Sequence, residues 1–277
     1  IREYLYNPIG IFQDQIFTGD LVTGCMVAAL VGTVIFGGIK RIAKVASTMV
    51  PIMVGIYLIA ALIIIGKNIH FVPNIFSLII QDAFSGTAVA GGAVGSMISI
   101  GVRRGLFSNE AGTGTETMAH GAAKTKEPVR EGLVAMLGPF IDTIIVCSIT
   151  AIVILLSGVY TQDLNGVSMT VSAFEHELGT LGKIVIMVAV LTFSLSTMFG
   201  YSYYGRKCTS YLFGTKWKIV YNWFYIMMIV LASTISIDIA INFMDSAFAL
   251  MVIPTIISTI LLAPKVLSES KRYFNQI

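Results

Sequence analysis

LVTGCMVAALVGTVIFGGI (Leu21–Ile39) and VASTMVPIMVGIYLIAALIIIG (Val45–Gly66) are two uncharged runs separated only by KRIAK (Lys40–Lys44). Each reaches the roughly 20 residues that a helix needs to cross about 30 Å of hydrocarbon, so the basic linker reads as a turn between two crossings. A charge near the bilayer centre costs about 3 kcal/mol or more. A chain that is 56% hydrophobic and 12% charged therefore has lipid as its principal solvent. Function has to be sought in the residues that interrupt the apolar runs.

Working outward, 277 residues leave room for about seven crossings with short loops and no separate soluble domain. The fold class is all-α and polytopic, and residues 1–277 read as a single membrane domain. A third segment is expected from Pro73 to about Val102, a fourth over Gly132–Leu156 and a fifth over Ile184–Tyr204. A sixth is expected over Ile219–Ile237 and a seventh over Ser246–Leu262. Arg103–Glu131 reads as a long polar stretch, Ser157–Gly182 as a loop and Asp238–Asp245 as a tight turn. The first residue is Ile1, no basic-then-apolar leader follows, and the opening twenty residues resemble the end of an interhelical loop. The chain is accordingly read as an N-terminally truncated part of a longer protein.

Basic residues fix an expected orientation. Alternating the loops between two faces puts fifteen of the eighteen Lys and Arg residues on one face and leaves Arg2, Lys67 and Lys183 on the other. The basic face is expected to be cytoplasmic, with the start of the chain outside and its C-terminus inside a plasma membrane of prokaryotic type. A seven-helix receptor would share that topology, although the last two helices hold no interior Lys for a Schiff base. Cys25, Cys147 and Cys208 lie in or beside apolar runs without C-x-x-C spacing, which argues against a disulfide framework or zinc.

The third segment is poor in side chains where a lipid-facing helix would show Leu and Ile. Its AVAGGAVGS stretch (Ala88–Ser96) has two readings. Unwound backbone at membrane depth is tolerated where it lines an enclosed cavity, and its free N–H and C=O groups can then replace water around a polar solute. Close helix packing at glycines explains the same composition without a ligand.

Hydroxyls concentrate in the fifth segment, LTFSLSTMFGYSYYG (Leu191–Gly205). Ser196, Thr197 and the Phe193 carbonyl one turn earlier offer three oxygens to a small hard cation, and Tyr201 follows Thr197 by one turn. Back-bonding of Ser and Thr to the preceding turn is the bland alternative. Asp142 is the deepest acidic residue, and it either faces a cavity or bonds a neighbouring helix. Arg104–His120 is glycine-rich but lacks a phosphate-loop signature, and no His, Cys or Ser set points to metal binding or hydrolysis. No enzymatic activity, cofactor or nucleic acid partner is expected.

Several runs together carry a family pattern: RGLFSNEAGTG (Arg104–Gly114), AAKTKEPV (Ala122–Val129), GPFIDT (Gly138–Thr143), GGIKRIAKV (Gly37–Val45), VPIMVGIY (Val50–Tyr57) and STMFGYSYYG (Ser196–Gly205). The chain resembles the alanine or glycine:cation symporter family over nearly its whole length. That resemblance implies a LeuT-type fold of two inverted five-helix repeats, with the present helices as core helices four to ten and the sixth broken at the glycines. It implies substrate contacts from Gly91, Gly92, Ala93, Val94, Gly95, Thr197 and Tyr201, and a sodium site using the Phe193 carbonyl, Ser196 and Thr197. Arg104, Asn109 and Glu110 would lie at a cytoplasmic gate.

The family often has Phe at Ala93, Trp at Tyr201 and Asn at Phe248 and Thr255. These departures leave room for a pocket wider than alanine needs. The resulting expectation is sodium-coupled (or proton-coupled) import of small neutral amino acids of the alanine or glycine class. A larger neutral amino acid such as glutamine is the alternative. The partners are the amino acid, sodium and lipid.

Overall fold

Regular structure is entirely helical among the described residues, which in this computed structural model are 16–83, 93–110, 112–164 and 166–276, with backbone alone at 83 and 93–99. The helices are α1 (Ile16–Ile35), α2 (Gly38–Lys67), α3 (Val72–Ala83), α4 (Ala93–Asn109) and the short α5 (Thr115–His120). They continue as α6 (Pro128–Ser157), α7 (Val167–Phe213), α8 (Lys218–Ala232) and α9 (Ile237–Phe274). Among the described residues, α1, α2, α6, α7 and α9 are long and apolar enough to cross a membrane. The other two expected segments are shorter: α8 has 15 residues, and the third segment is carried by α3 and α4 with 12 and 17.

Three expected connections are helical instead. Lys40–Lys44 lies in the opening turns of α2, because the chain already reverses at Phe36–Gly37, next to Gly38 with its left-handed φ of 72°. The apolar stems of these lysines can lie along a helix while their ammonium groups reach water. The loop expected over Ser157–Gly182 contains the first part of α7, whose Val171, Ala173 and Phe174 are buried. That burial stabilises helix in a segment whose acidic residues had suggested a loop. Gly179, at φ 64° and ψ −150°, interrupts α7 before its long apolar part. Asp238–Asp245 forms the first turns of α9, where the carboxylate of Asp238 suits the positive helix end. The preceding reversal uses Ser233–Ser236, and the expected tail stays helical to Phe274.

The chain divides into two compact units, Ile1–Val50 with Phe193–Ile253, and Pro51–Thr192 with Pro254–Ile277. In the first, Gly24, Ala28 and Gly32 recur every fourth residue and form one buried stripe of α1. A methyl group at Gly32 would stand 2.9 Å from Ile226 Cδ1, and one at Gly24 would overlap the Ser233 side chain. Small residues thus let the backbones of α1 and α8 approach, the usual basis of helix packing in lipid. Beside this seam, Val31, Ile35 and Ile42 pack with Phe199 and Tyr203 of α7.

The second unit is tied by polar contacts. Thr150 Oγ1 donates to the Val146 carbonyl at 2.7 Å, so in its bond with Tyr57 the phenol is the donor. The Tyr57 ring lies 5.6 Å from that of the buried Phe174. Asn68 Nδ2 donates to Glu177 Oε2 at 2.7 Å, Lys67 Nζ to the Glu177 carbonyl at 3.2 Å, and Lys183 pairs with Glu175 at 3.0 Å. Arg272 pairs with Glu127 at 2.7 Å and with Glu269 at 2.8 Å.

Candidate transport site

In the first unit, the long apolar part of α7 carries the hydroxyl cluster. Ser196 Oγ donates to the Phe193 carbonyl at 2.8 Å, the back-bond to the preceding turn that the alternative reading expects, and the two oxygens lie on one turn. The serine oxygen keeps its lone pairs after donating its proton, so the bond does not remove it as a ligand. Thr197 is exposed beside it, and the half-buried Tyr201 packs edge-on against Tyr204 with ring centroids 5.7 Å apart. The Tyr225 hydroxyl of α8 donates to the carbonyl of Met198 at 2.9 Å, next to Thr197. A depression of about 540 Å³ between α1 and α8, lined by Ala28, Gly32, Phe36, Trp223, Ile226 and Val230 among others, holds none of the candidate residues. Its walls are almost wholly apolar, with Thr33 supplying a hydroxyl and no charged residue among them.

In the second unit, Gly91 and Gly92 lie outside the described residues. Ala93, Val94 and Gly95 belong to the first turn of α4, whose far end carries the other candidates. Here two adjacent residues of α4 meet two adjacent residues of α6: Ser108 Oγ donates to Asp142 Oδ2 at 2.5 Å, and Asn109 Nδ2 donates to Thr143 Oγ1 at 2.9 Å. Asp142 thus has a partner on a neighbouring helix, with its carboxylate as the acceptor. Both α6 residues fall in a π-helical stretch, Phe140–Cys147, which begins just after Gly138 and Pro139. Proline withholds an N–H from the ladder, and a widened turn accommodates such an interruption.

Beyond α4 the chain folds tightly. Glu110 has φ 56°, a left-handed conformation uncommon outside glycine, and its carbonyl accepts the Thr113 hydroxyl at 2.7 Å while its carboxylate accepts that of Thr115. Both threonines are buried. Glu110 is thus engaged within its own loop, and Arg104 lies on an exposed part of α4. His120 Nδ1 lies 2.7 Å from Glu131 Oε1, and burial, then the nearby Glu110 charge, push the Glu116 carboxyl above its ordinary range against the pull of His120.

Sequence reading missed Ser108, Thr143 and Tyr225. The first two stood inside the quoted SNEAG and GPFIDT runs, but nothing in a linear pattern showed that these runs meet. Tyr225 sits in an aromatic run, YNWFY (Tyr221–Tyr225), and nothing in the linear pattern singles it out from Tyr221 or Asn222.

Five membrane-length apolar helices among the described residues, with hydroxyls and a paired carboxylate on them, define a multi-pass membrane protein. The model of the sodium:alanine symporter family matches residues 6–277, and the chain belongs to that family. It is 41% identical to an "Uncharacterized transporter" of Haemophilus influenzae over 96% of its length and 59% of that protein's. It is 39% identical to the "Sodium/alanine symporter AgcS" of Methanococcus maripaludis, covering 93% of this chain and 57% of that one. To the "Probable sodium/glutamine symporter GlnT" of Bacillus subtilis it is 35% identical, over 96% and 56% respectively. The chain thus spans less than two thirds of the length of these curated relatives.

Proposed function

We propose that the chain forms part of a sodium-coupled symporter that imports small neutral amino acids by alternating access. The observation that carries this reading is the family match over residues 6–277, and the Ser196 hydroxyl, the Phe193 carbonyl and Thr197 lie together on one stretch of an apolar span. In lipid such an oxygen cluster can replace the hydration of a small cation, and two relatives are named as sodium symporters. In this proposal Gly91, Gly92, Ala93, Val94 and Gly95, with Thr197 and Tyr201, contact the amino acid, while Phe193, Ser196 and Thr197 hold sodium. Arg104, Asn109 and Glu110 belong to the inner gate.

The proposed architecture is about seven crossings corresponding to core helices four to ten of a LeuT-type repeat. The start of the chain lies outside and the C-terminus in the cytoplasm. The ion pairs support this assignment of faces. Lys67 and Lys183 engage the Glu177 carbonyl and the Glu175 carboxylate in the first part of α7, in the segment given to their own side, and Arg272 engages Glu127 on the basic side. A larger substrate is the second reading, favoured by Ala93, by Tyr201 and by the relative named for glutamine.

Uptake of labelled alanine, glycine and glutamine by the complete protein in vesicles, with and without a sodium gradient, tests the proposal. Gradient-driven uptake that loses its sodium dependence in Ser196→Ala and Thr197→Ala supports it. Unchanged sodium dependence in both variants would remove the ion assignment.

A further inference from the structure

Two hydrogen bonds join α4 to α6 through consecutive residues on each helix, Ser108 to Asp142 and Asn109 to Thr143. Consecutive residues of an α-helix point about 100° apart, so two such pairs rarely form at one crossing. The π-helical stretch Phe140–Cys147 widens the turn on one side and lets Asp142 and Thr143 address neighbouring partners together. The same stretch is held from another direction. Thr150, which donates to the Val146 carbonyl, receives the Tyr57 hydroxyl of α2. Cys147 Sγ also lies 3.6 Å from Ser108 Oγ, and because the Ser108 proton goes to the carboxylate, the thiol is the donor in that contact.

We propose that Asp142 and Thr143 are positioning residues for transport: through Ser108 and Asn109 they fasten α4 to the π-helical stretch of α6, so that the helix bearing Ala93–Gly95 moves with α6 as one body. This rests on the reading that Ala93–Gly95 contacts the amino acid. What it adds is the role of the carboxylate, which serves as a hydrogen-bond acceptor rather than as a carrier of the coupling ion or of a proton. Each bond contributes about 1 kcal/mol, about fivefold in an equilibrium, and the two together hold the register of α4 against α6.

The test uses the complete protein with Cys25→Ser, Cys208→Ser and every cysteine outside the present sequence replaced by Ser, leaving Cys147 as the thiol, and adds Ser108→Cys. Mild oxidation is expected to join the introduced thiol to Cys147, since the present 3.6 Å contact needs only a small approach to reach bonding distance. The reduced variant should show a KM for the amino acid raised about fivefold, the effect of one lost hydrogen bond, and oxidation should restore it. Asp142→Asn, which keeps an acceptor oxygen, should transport within about twofold of the unsubstituted protein, whereas Asp142→Ala should not.

Absence of the disulfide would refute the juxtaposition. Uptake that stops on oxidation would show that α4 and α6 must part during the cycle, and Asp142→Asn as inactive as Asp142→Ala would show that the charge is what matters. Either result overturns the proposal. A lack of amino acid uptake in the unsubstituted protein would instead overturn the reading of the site on which the proposal rests.

Discussion

Tyr225 donates its hydroxyl to the backbone carbonyl of Met198 at 2.9 Å, across from α8 to α7. Met198 follows Thr197 directly, and Ser196 precedes that, so the phenol is anchored to the backbone turn that carries the proposed sodium oxygens. The rings of Tyr221 and Tyr225, 6.0 Å apart, fill the space beside it.

Tyr225→Phe keeps the ring and deletes one donor, a change of about 1 kcal/mol. The expected outcome is a sodium concentration for half-maximal uptake raised about fivefold, with little change in the maximal rate. Sodium titration of uptake in vesicles checks it. An unchanged sodium dependence would show that the turn is held without Tyr225.

The seam of α1 and α8 makes a prediction about stability. Gly32→Val places two methyl groups where even one would stand 2.9 Å from Ile226 Cδ1. Overpacking of this kind costs about 1–3 kcal/mol. A lower thermal midpoint in detergent is expected, and Ile226→Ala in the same protein should recover part of it. The double variant tells local overlap from a general intolerance of valine.

Much of the fold was legible because lipid makes the pattern simple. Apolar runs of crossing length must become helices, and Leu21–Ile39 and Val45–Gly66 do so within a few residues. The ends were not legible for a specific reason: charges mark where a chain meets water and not where its helix stops. Lys40 and Lys44 continue α2, and Lys271 and Arg272 continue α9. Of the candidate site, the Ser196 group was visible as hydroxyls at turn spacing. The partners of Asp142 were not, since Ser108 and Asp142 are 34 residues apart and their meeting depends on a π-helical turn.

Two contacts of the loop after α4 should differ in weight. Arg272 and Glu127 form an ion pair at 2.7 Å, but Arg272 is open to solvent and Glu127 partly so, and solvent screening leaves such a pair little net contribution. Gly114, by contrast, has φ 87°, and a Cβ there would stand 2.8 Å from Thr255 Oγ1. Gly114→Ala combines left-handed strain of about 1–2 kcal/mol with that overlap. Arg272→Ala is therefore expected to leave the thermal midpoint nearly unchanged, and Gly114→Ala to lower it by several degrees. Differential scanning fluorimetry of the two variants decides the order.

The same loop should carry a dependence on pH. Burial, and secondarily the charge of Glu110, raise the Glu116 carboxyl from its ordinary 4.5, with His120 opposing them. A carboxyl whose pKa is higher in the folded chain than in the unfolded one binds the extra proton in the fold, so its contribution is present below about 4.5 and is lost as pH rises through the raised value. Glu116→Gln removes that loss. Relative to the unsubstituted protein, the variant should gain local stability as pH rises above the ordinary carboxyl range, and the two should converge at lower pH. Amide hydrogen exchange across residues 112–131, followed from about pH 4 to about pH 7 and corrected for intrinsic exchange rates, reads this difference. A gap that instead widened toward acid would mean that Glu116 is held ionised, with the attraction of His120 outweighing burial.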